Sequence, residues 1–313
     1  MKSRLSPFAI FLPLLCATAL QGLGALTVSA PKSVILGDAL TVSIPYERDI
    51  TRVSVALTNT SGVVVSGVRA FPFPSIAKPT SWIAIMGIPT TIAPGGYDLR
   101  TTVDSGGRIS GESAEIEVVS RSFYHEDINL DQDLTDLQTE QTELKKQQAE
   151  ELWHILTSFQ PDSVYQTRPF IVPVSKYIVT SPFAERRLFV FAHGGNEASI
   201  HQGIDLAVPA GTPVEASGAG RVVFAGSWIM TGNSVVIEHL PGVYSLYFHM
   251  ERLLVKVGQE VKQAEPIGLV GETGLATGPH LHWQIEIGGV AVDPMSLVKT
   301  GLIEQTTGVA TGE

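Results

Sequence analysis

At 313 residues the chain is long enough for two domains, and a make-up of 44% hydrophobic against 17% charged residues excludes a disordered tail or a charged coil. A formal net charge of -10, with no Lys/Arg-rich block, argues against nucleic acid as a partner.

The chain opens with Lys2 and Arg4, an apolar run from Pro7 to Cys16, and the small-x-small site Ala17-Thr18-Ala19. That order describes a secretory signal over residues 1–25, with the cut as late as Gly22 or Ala25, and an uncleaved anchor is the alternative. The run is short and Pro-broken for a membrane span of about 20 residues, so no span is expected after cleavage. Cys16 is the only cysteine, and Leu15 before it argues against lipoprotein processing. A processed chain then has no thiol, which excludes a cysteine nucleophile, a Cys-type zinc knuckle and a disulfide framework.

Residues 26–120 read as strands. Ala39–Ile44, Val53–Leu57 and Ala114–Val119 alternate apolar with polar, and Gly37-Asp38, Ser61-Gly62, Pro94-Gly95-Gly96 and Ser105-Gly106-Gly107 supply turns. The pattern predicts an immunoglobulin-like β-sandwich acting as a spacer or binding module. Residues 121–176 form a helical connector. Between Asp127 and Phe159 there is neither Gly nor Pro, and Leu130, Leu134, Leu137 and Leu144 recur at helical spacing. Gln141 and Gln148 interrupt the stripe, which predicts a helix or helical hairpin packed on a domain rather than a long coiled coil. Residues 177–298 return to β character with dense glycine: Arg221–Ala225, Ser234–Glu238, Tyr244–Phe248 and His282–Ile287 read as strands of a compact antiparallel barrel or sandwich. Residues 299–313 read as a flexible tail.

Histidines mark the chemistry. His280 and His282, at i and i+2 of a strand, share a face, so one imidazole can bind metal while the other acts chemically. His201 and Asp205 are four apart, but Gly203 and Val208-Pro209 argue for a loop-to-strand turn, and His with a carboxylate suits zinc. An Asp turn-cap beside a surface His is the bland reading of that pair, and it loses weight beside His280 and His282. His249, after Tyr247-Phe248, is a candidate for orienting water or stabilising developing charge. His239 reads as structural, and His125, His154 and His193 as bystanders.

At these residues the chain resembles the M23 zinc metallopeptidases, the lysostaphin/LytM-type peptidoglycan endopeptidases. The resemblance runs from about Tyr177 to Pro294 through Thr180-Ser181-Pro182-Phe183 with Arg186, His201–Val214, Gly232–His239, Val257-Gly258-Gln259 and Gly271–His282. It implies His201, Asp205 and His282 as ligands of one Zn2+ per chain, and His249 and His280 as catalytic histidines outside the ligand set. It also implies an antiparallel β metallopeptidase domain and hydrolysis of peptide bonds in peptidoglycan stems or cross-bridges through a metal-activated water. Ala184 stands where the opening motif has Gly, Phe248 where a small residue is common, and Met250 where Leu is usual. The segment Phe189–Ile200 follows the family poorly.

Two functions are therefore expected in order. The first is a secreted zinc endopeptidase of the periplasm or cell envelope, with an envelope protein as a candidate partner of the N-terminal domain. The second is a non-catalytic envelope protein of M23 fold that binds peptidoglycan or regulates another hydrolase.

Overall fold

The computed structural model describes residues 27–303, so the expected signal segment with Cys16, and residues 304–313 of the expected tail, lie outside the described residues. The chain is mainly β, and no described helix is long and apolar enough to cross a membrane.

Eight strands form the N-terminal unit: β1 (Ser33–Ile35), β2 (Ala39–Pro45), β3 (Arg52–Thr58), β4 (Val64–Arg69), β5 (Phe71–Phe73), β6 (Ser81–Gly87), β7 (Gly95–Ser105) and β8 (Arg108–Val119). They pair as two sheets, in the orders β1-β8-β7-β3-β4 and β2-β6-β5. Alternation sends Leu40, Val42 and Ile44 of β2, Val53, Val55 and Leu57 of β3, and Leu99 and Val103 of β7 into one shared core. β7 turns into β8 at Gly106 and Gly107, whose φ angles of 63° and 92° suit the twist of a tight hairpin.

β6 does not alternate, and its environment explains why. Trp82, Ala84 and Met86 enter the N-terminal core, whereas Ile83 and Ile85 enter the core of the C-terminal unit. A strand buried on both faces reads as a continuous apolar run. The sheet β2-β6-β5 is thus a wall common to both units, not one side of a free spacer. Other contacts tie the same seam. Thr41 Oγ1 donates to the Leu302 carbonyl at 2.7 Å, and Arg121 pairs with Asp38 at 2.8 Å and Asp293 at 3.1 Å. Gly87 is needed there because a Cβ would lie 2.8 Å from the Cβ of Val290. Residues 299–303 were expected to begin a loose tail, but they do not. Leu302 and Ile303 are buried in the C-terminal core, where their apolar side chains gain more from packing than from solvent.

The connector contributes β9 (His125–Asn129), α1 (Gln132–Thr139) and α2 (Glu143–Leu156). Asp131 and Thr142 cap the two helices, accepting from the amides of Leu134 and Lys145, so the leucine stripe is split into two short helices rather than one rod. Leu152, Ile155 and Leu156 of α2 pack on Trp228, Tyr244 and Leu246, and Gln148, which broke the stripe, accepts from the amide of Ile229 at 2.9 Å. β9 was not expected in a helical connector.

The C-terminal unit holds β10 (Ile178–Ser181), β11 (Arg186–Val190), β12 (Asn196–Ile200), β13 (Ile204–Ala207), β14 (Pro213–Glu215), β15 (Gly220–Trp228), β16 (Gly232–Leu240) and β17 (Val243–Leu253). It continues with β18 (Glu260–Val261), β19 (Pro266–Val270), β20 (His280–Ile287), β21 (Val290–Val292) and α3 (Pro294–Lys299). Ten of these strands form one antiparallel sheet with the path β10-β13-β20-β17-β16-β15-β18. β9 pairs in parallel with β11, which pairs with β12, making a separate three-stranded sheet from the segment that follows the M23 pattern least.

Candidate metal centre

β13 lies between β10 and β20, and its register sets Asp205 directly opposite His282. Alternation along β20 sends Leu281 and Trp283 into the core and leaves His280 and His282 on the other face. His201 arrives from the turn before β13. Gly203 permits that approach by its small size and not by an unusual backbone angle: a Cβ would lie 2.5 Å from the Trp283 carbonyl oxygen and 2.6 Å from His282 Nε2.

His249 reaches the same face by a different device. Strict alternation would place it opposite Phe248, with Tyr247 and Met250 on opposite faces. Instead its φ is 61°, at a register shift between β16 and β17, and both Tyr247 and Met250 point into the core. The bulge re-aims His249 toward the site, a common use of bulges and of left-handed non-glycine residues. Ala184 also has a positive φ, 60°, a backbone conformation that glycine adopts more readily.

Five side chains therefore meet. His201 Nε2, Asp205 Oδ1 and His282 Nδ1 lie 2.9–3.0 Å from one another. The outer nitrogens fix the tautomers. His201 Nδ1 faces the Pro182 carbonyl at 3.1 Å and His282 Nε2 faces Gln284 Oε1 at 3.1 Å, so each donates outward. The two inner nitrogens then present lone pairs to each other and to a carboxylate. Three lone-pair donors packed at this distance repel unless a cation lies among them, and the N, N, O set suits a metal ion. Burial pushes His201 toward its neutral form. Burial also opposes charge on Asp205, but the Arg187 guanidinium donating to its Oδ2 favours the carboxylate.

His280 and His249 stand beside this cluster. His280 Nε2 is 3.7 Å from Asp205 Oδ1, and the His249 and His280 rings are 4.8 Å apart. Each donates its Nδ1 proton to a carbonyl 2.8 Å away, His249 to Thr273 and His280 to Gly278, which leaves both Nε2 atoms free to accept. Burial, reinforced by His280 and His282, drives His249 down to about 3, so it is neutral near pH 7. Phe248 stacks on His282 at 5.2 Å with ring planes 7° apart, so its bulk braces the cluster.

Sequence reasoning missed two residues. Arg187 donates to Asp205 Oδ2 at 2.7 Å and to Glu185 at 3.1 Å, leaving Oδ1 as the inward-facing oxygen. Its neighbour Arg186, which carried the resemblance, instead donates to the Thr90 carbonyl and covers Phe123. The period of two on β11 separates these arginines, and the sequence shows only that both are charged. Gln284, which orients His282, sits two residues along the same strand face. His239 is fully buried, donating to the Ala219 carbonyl at 2.8 Å with Ser245 Oγ 2.6 Å from its other nitrogen, and so is structural. His125, His154 and His193 are exposed and stand apart from the cluster.

The cluster opens into a cleft of about 720 Å3. Its lining includes Ile128, Leu130, Leu134 and Gln138 of the connector as well as Met230 and Leu275.

The profile of peptidase family M23 matches residues 199–294. The peptidoglycan DD-endopeptidase ShyA of Vibrio cholerae is 41% identical over 121 residues, which is 39% of this chain and 27% of that protein. The DD-carboxypeptidase/endopeptidase Mpg of Neisseria meningitidis is 41% identical over 127 residues, covering 41% of this chain and 28% of that one. The chain thus spans about a third or less of the length of these curated relatives. A solved structure described as a peptidase M23 from Pseudomonas aeruginosa shares the fold with a TM-score of 0.57 and 24% identity, over 84% of this chain and 94% of that one. The likeness to peptidase family M23 is thus carried by residues 199–294 of this chain.

Proposed function

We propose that the protein is a zinc metalloendopeptidase that hydrolyses peptide bonds in peptidoglycan stems or cross-bridges. The observation that carries this reading is the meeting of three inward lone pairs, from His201, Asp205 and His282, beside two histidines whose Nε2 atoms are free. His201, Asp205 and His282 would hold the ion. When bound, zinc polarises the scissile carbonyl and lowers the pKa of a coordinated water toward ~7. The chain's own groups supply the rest. His249 and His280, each fixed through Nδ1, present Nε2 to take a proton from the attacking water and return it to the departing amine. In the protonated form either can face the oxygen on which negative charge develops. Arg187 holds Asp205 in place, and Phe248 limits tilt of the His282 ring.

The family match and the two relatives named as endopeptidases support the substrate class, and their names favour a bond between D-amino acids. A peptidoglycan substrate would put the site in the cell envelope. Metal-loaded protein incubated with intact sacculi should release fragments carrying new peptide ends, and chelated protein should not. Absence of new ends with one equivalent of zinc bound would establish a non-catalytic protein of M23 fold instead.

A further inference from the structure

His282, Gln284 and Glu286 lie at i, i+2 and i+4 of β20 and share one face of the sheet. Gln284 Nε2 donates to Glu286 Oε1 at 2.6 Å, and His282 Nε2 donates to Gln284 Oε1 at 3.1 Å. The other oxygen of Glu286, Oε2, is buried without a hydrogen-bond partner, and the residue is only 3% exposed. Its cross-strand neighbours are Tyr244 and Ala291, neither of which pairs with that oxygen. A buried carboxyl with an unpartnered oxygen costs stability and calls for an explanation.

We infer that Glu286 is a positioning residue for the metal centre: it fixes the orientation of the Gln284 amide, and through it the tautomer and donor strength of His282. This rests on the metal-site reading above. An amide has nearly the same shape when turned over, so its orientation is set by what it bonds. An acceptor on its NH2 side is supplied by Glu286 at 2.6 Å, with Gln202 Oε1 a long 3.5 Å away. With that acceptor in place, Gln284 must turn its oxygen to His282, which must then carry its proton on Nε2 and offer Nδ1 to the ion. Turned over, the amide would present NH2 to Nε2 and drive the proton onto Nδ1, where it blocks ligation. Outer partners of ligand histidines act in this way, and successive bonds polarise one another. Burial raises the Glu286 carboxyl to about 7. Oε1 accepts in either protonation state, so the positioning does not depend on charge.

The test uses the full chain, with zinc affinity measured by competition with a chromophoric chelator and the His282 tautomer read by 15N NMR of the metal-free protein. Wild type should show the Nε2–H tautomer. Glu286→Met removes the acceptor while filling the site, so zinc should bind about 10-fold more weakly with thermal stability kept or raised. Glu286→Gln retains an acceptor oxygen and should bind zinc close to wild type. Unchanged affinity in Glu286→Met, or an Nδ1–H tautomer in wild type, overturns the inference. Should Glu286→Met fail to fold, the wild-type tautomer and the affinity of Glu286→Gln decide, and a 10-fold loss in Glu286→Gln also overturns it. Failure of wild type to bind zinc at all would instead overturn the ligand set itself.

Discussion

The candidate metal centre and the wall beside it are built on different principles. The centre lies on β13, β17 and β20, neighbours in one sheet whose other face is packed with Leu281, Trp283, Tyr247 and Met250. Every site histidine there has its second nitrogen held by an acceptor. The wall comes from β9 and α1, which reach the cleft from the connector: β9 is laddered to β11, and the segment that follows it through α1 is fastened to the β11–β12 hairpin by a few bonds. Leu130 donates its amide to the Val190 carbonyl, Thr135 Oγ1 accepts from the Ala192 amide, and Gln138 donates to Glu197. The residues of the proposed chemistry thus stand in a dense sheet, and a separately attached piece lines the approach. Changes in the first should reach kcat or the metal, and changes in the second should reach KM.

The largest effect is expected at His280. His280→Ala should lower cleavage of sacculi by about 10²–10⁴-fold, the range for loss of a general acid or base, in an assay of released fragments. A comparable loss in a wall variant would erase the contrast. Next comes a pH effect on the sheet itself. Burial lowers His239 to about 4 from 6.5, so the unfolded chain takes up a proton more readily than the folded one. That contribution is complete above pH 6.5 and is lost as pH falls toward 4, at a cost of about 2–3 kcal/mol. Urea unfolding of metal-free protein at pH 7 and pH 4.5 should show that loss, and His239→Gln should show less of it. Smaller still, Leu134→Ala on the wall should raise KM about 10-fold with kcat and bound zinc unchanged. A fall in kcat alone would place α1 in the chemistry. Last, Thr41→Val at the seam should cost about 1 kcal/mol by urea unfolding, with cleavage unaltered.

What the sequence disclosed depended on whether the signal was local. The four strands read between Arg221 and Ile287 are present, as is the helical stretch carrying Leu134 and Leu144, because period and turn chemistry are written in adjacent residues. Four of the five site residues stood out because His-x-His and His-x-x-x-Asp are short patterns, His249 stood alone after Tyr247-Phe248, and the structure brings all five together. Other features needed distant partners. Ile83 and Ile85 look like ordinary core residues until the C-terminal sheet arrives on their face. β9 contains only exposed or half-buried residues, His125 to Asn129, and becomes a strand only because β11 pairs with it. Arg187 gains meaning from a carboxylate eighteen residues away, and Leu302 from a threonine near the other end of the chain.

The division of the cluster into three ligands and two chemical histidines is tested most directly by bound zinc in two variants measured side by side. His280→Ala should keep one equivalent of zinc, and His282→Ala should retain none at the same free-zinc concentration. An empty site in His280→Ala with a full one in His282→Ala would contradict the account.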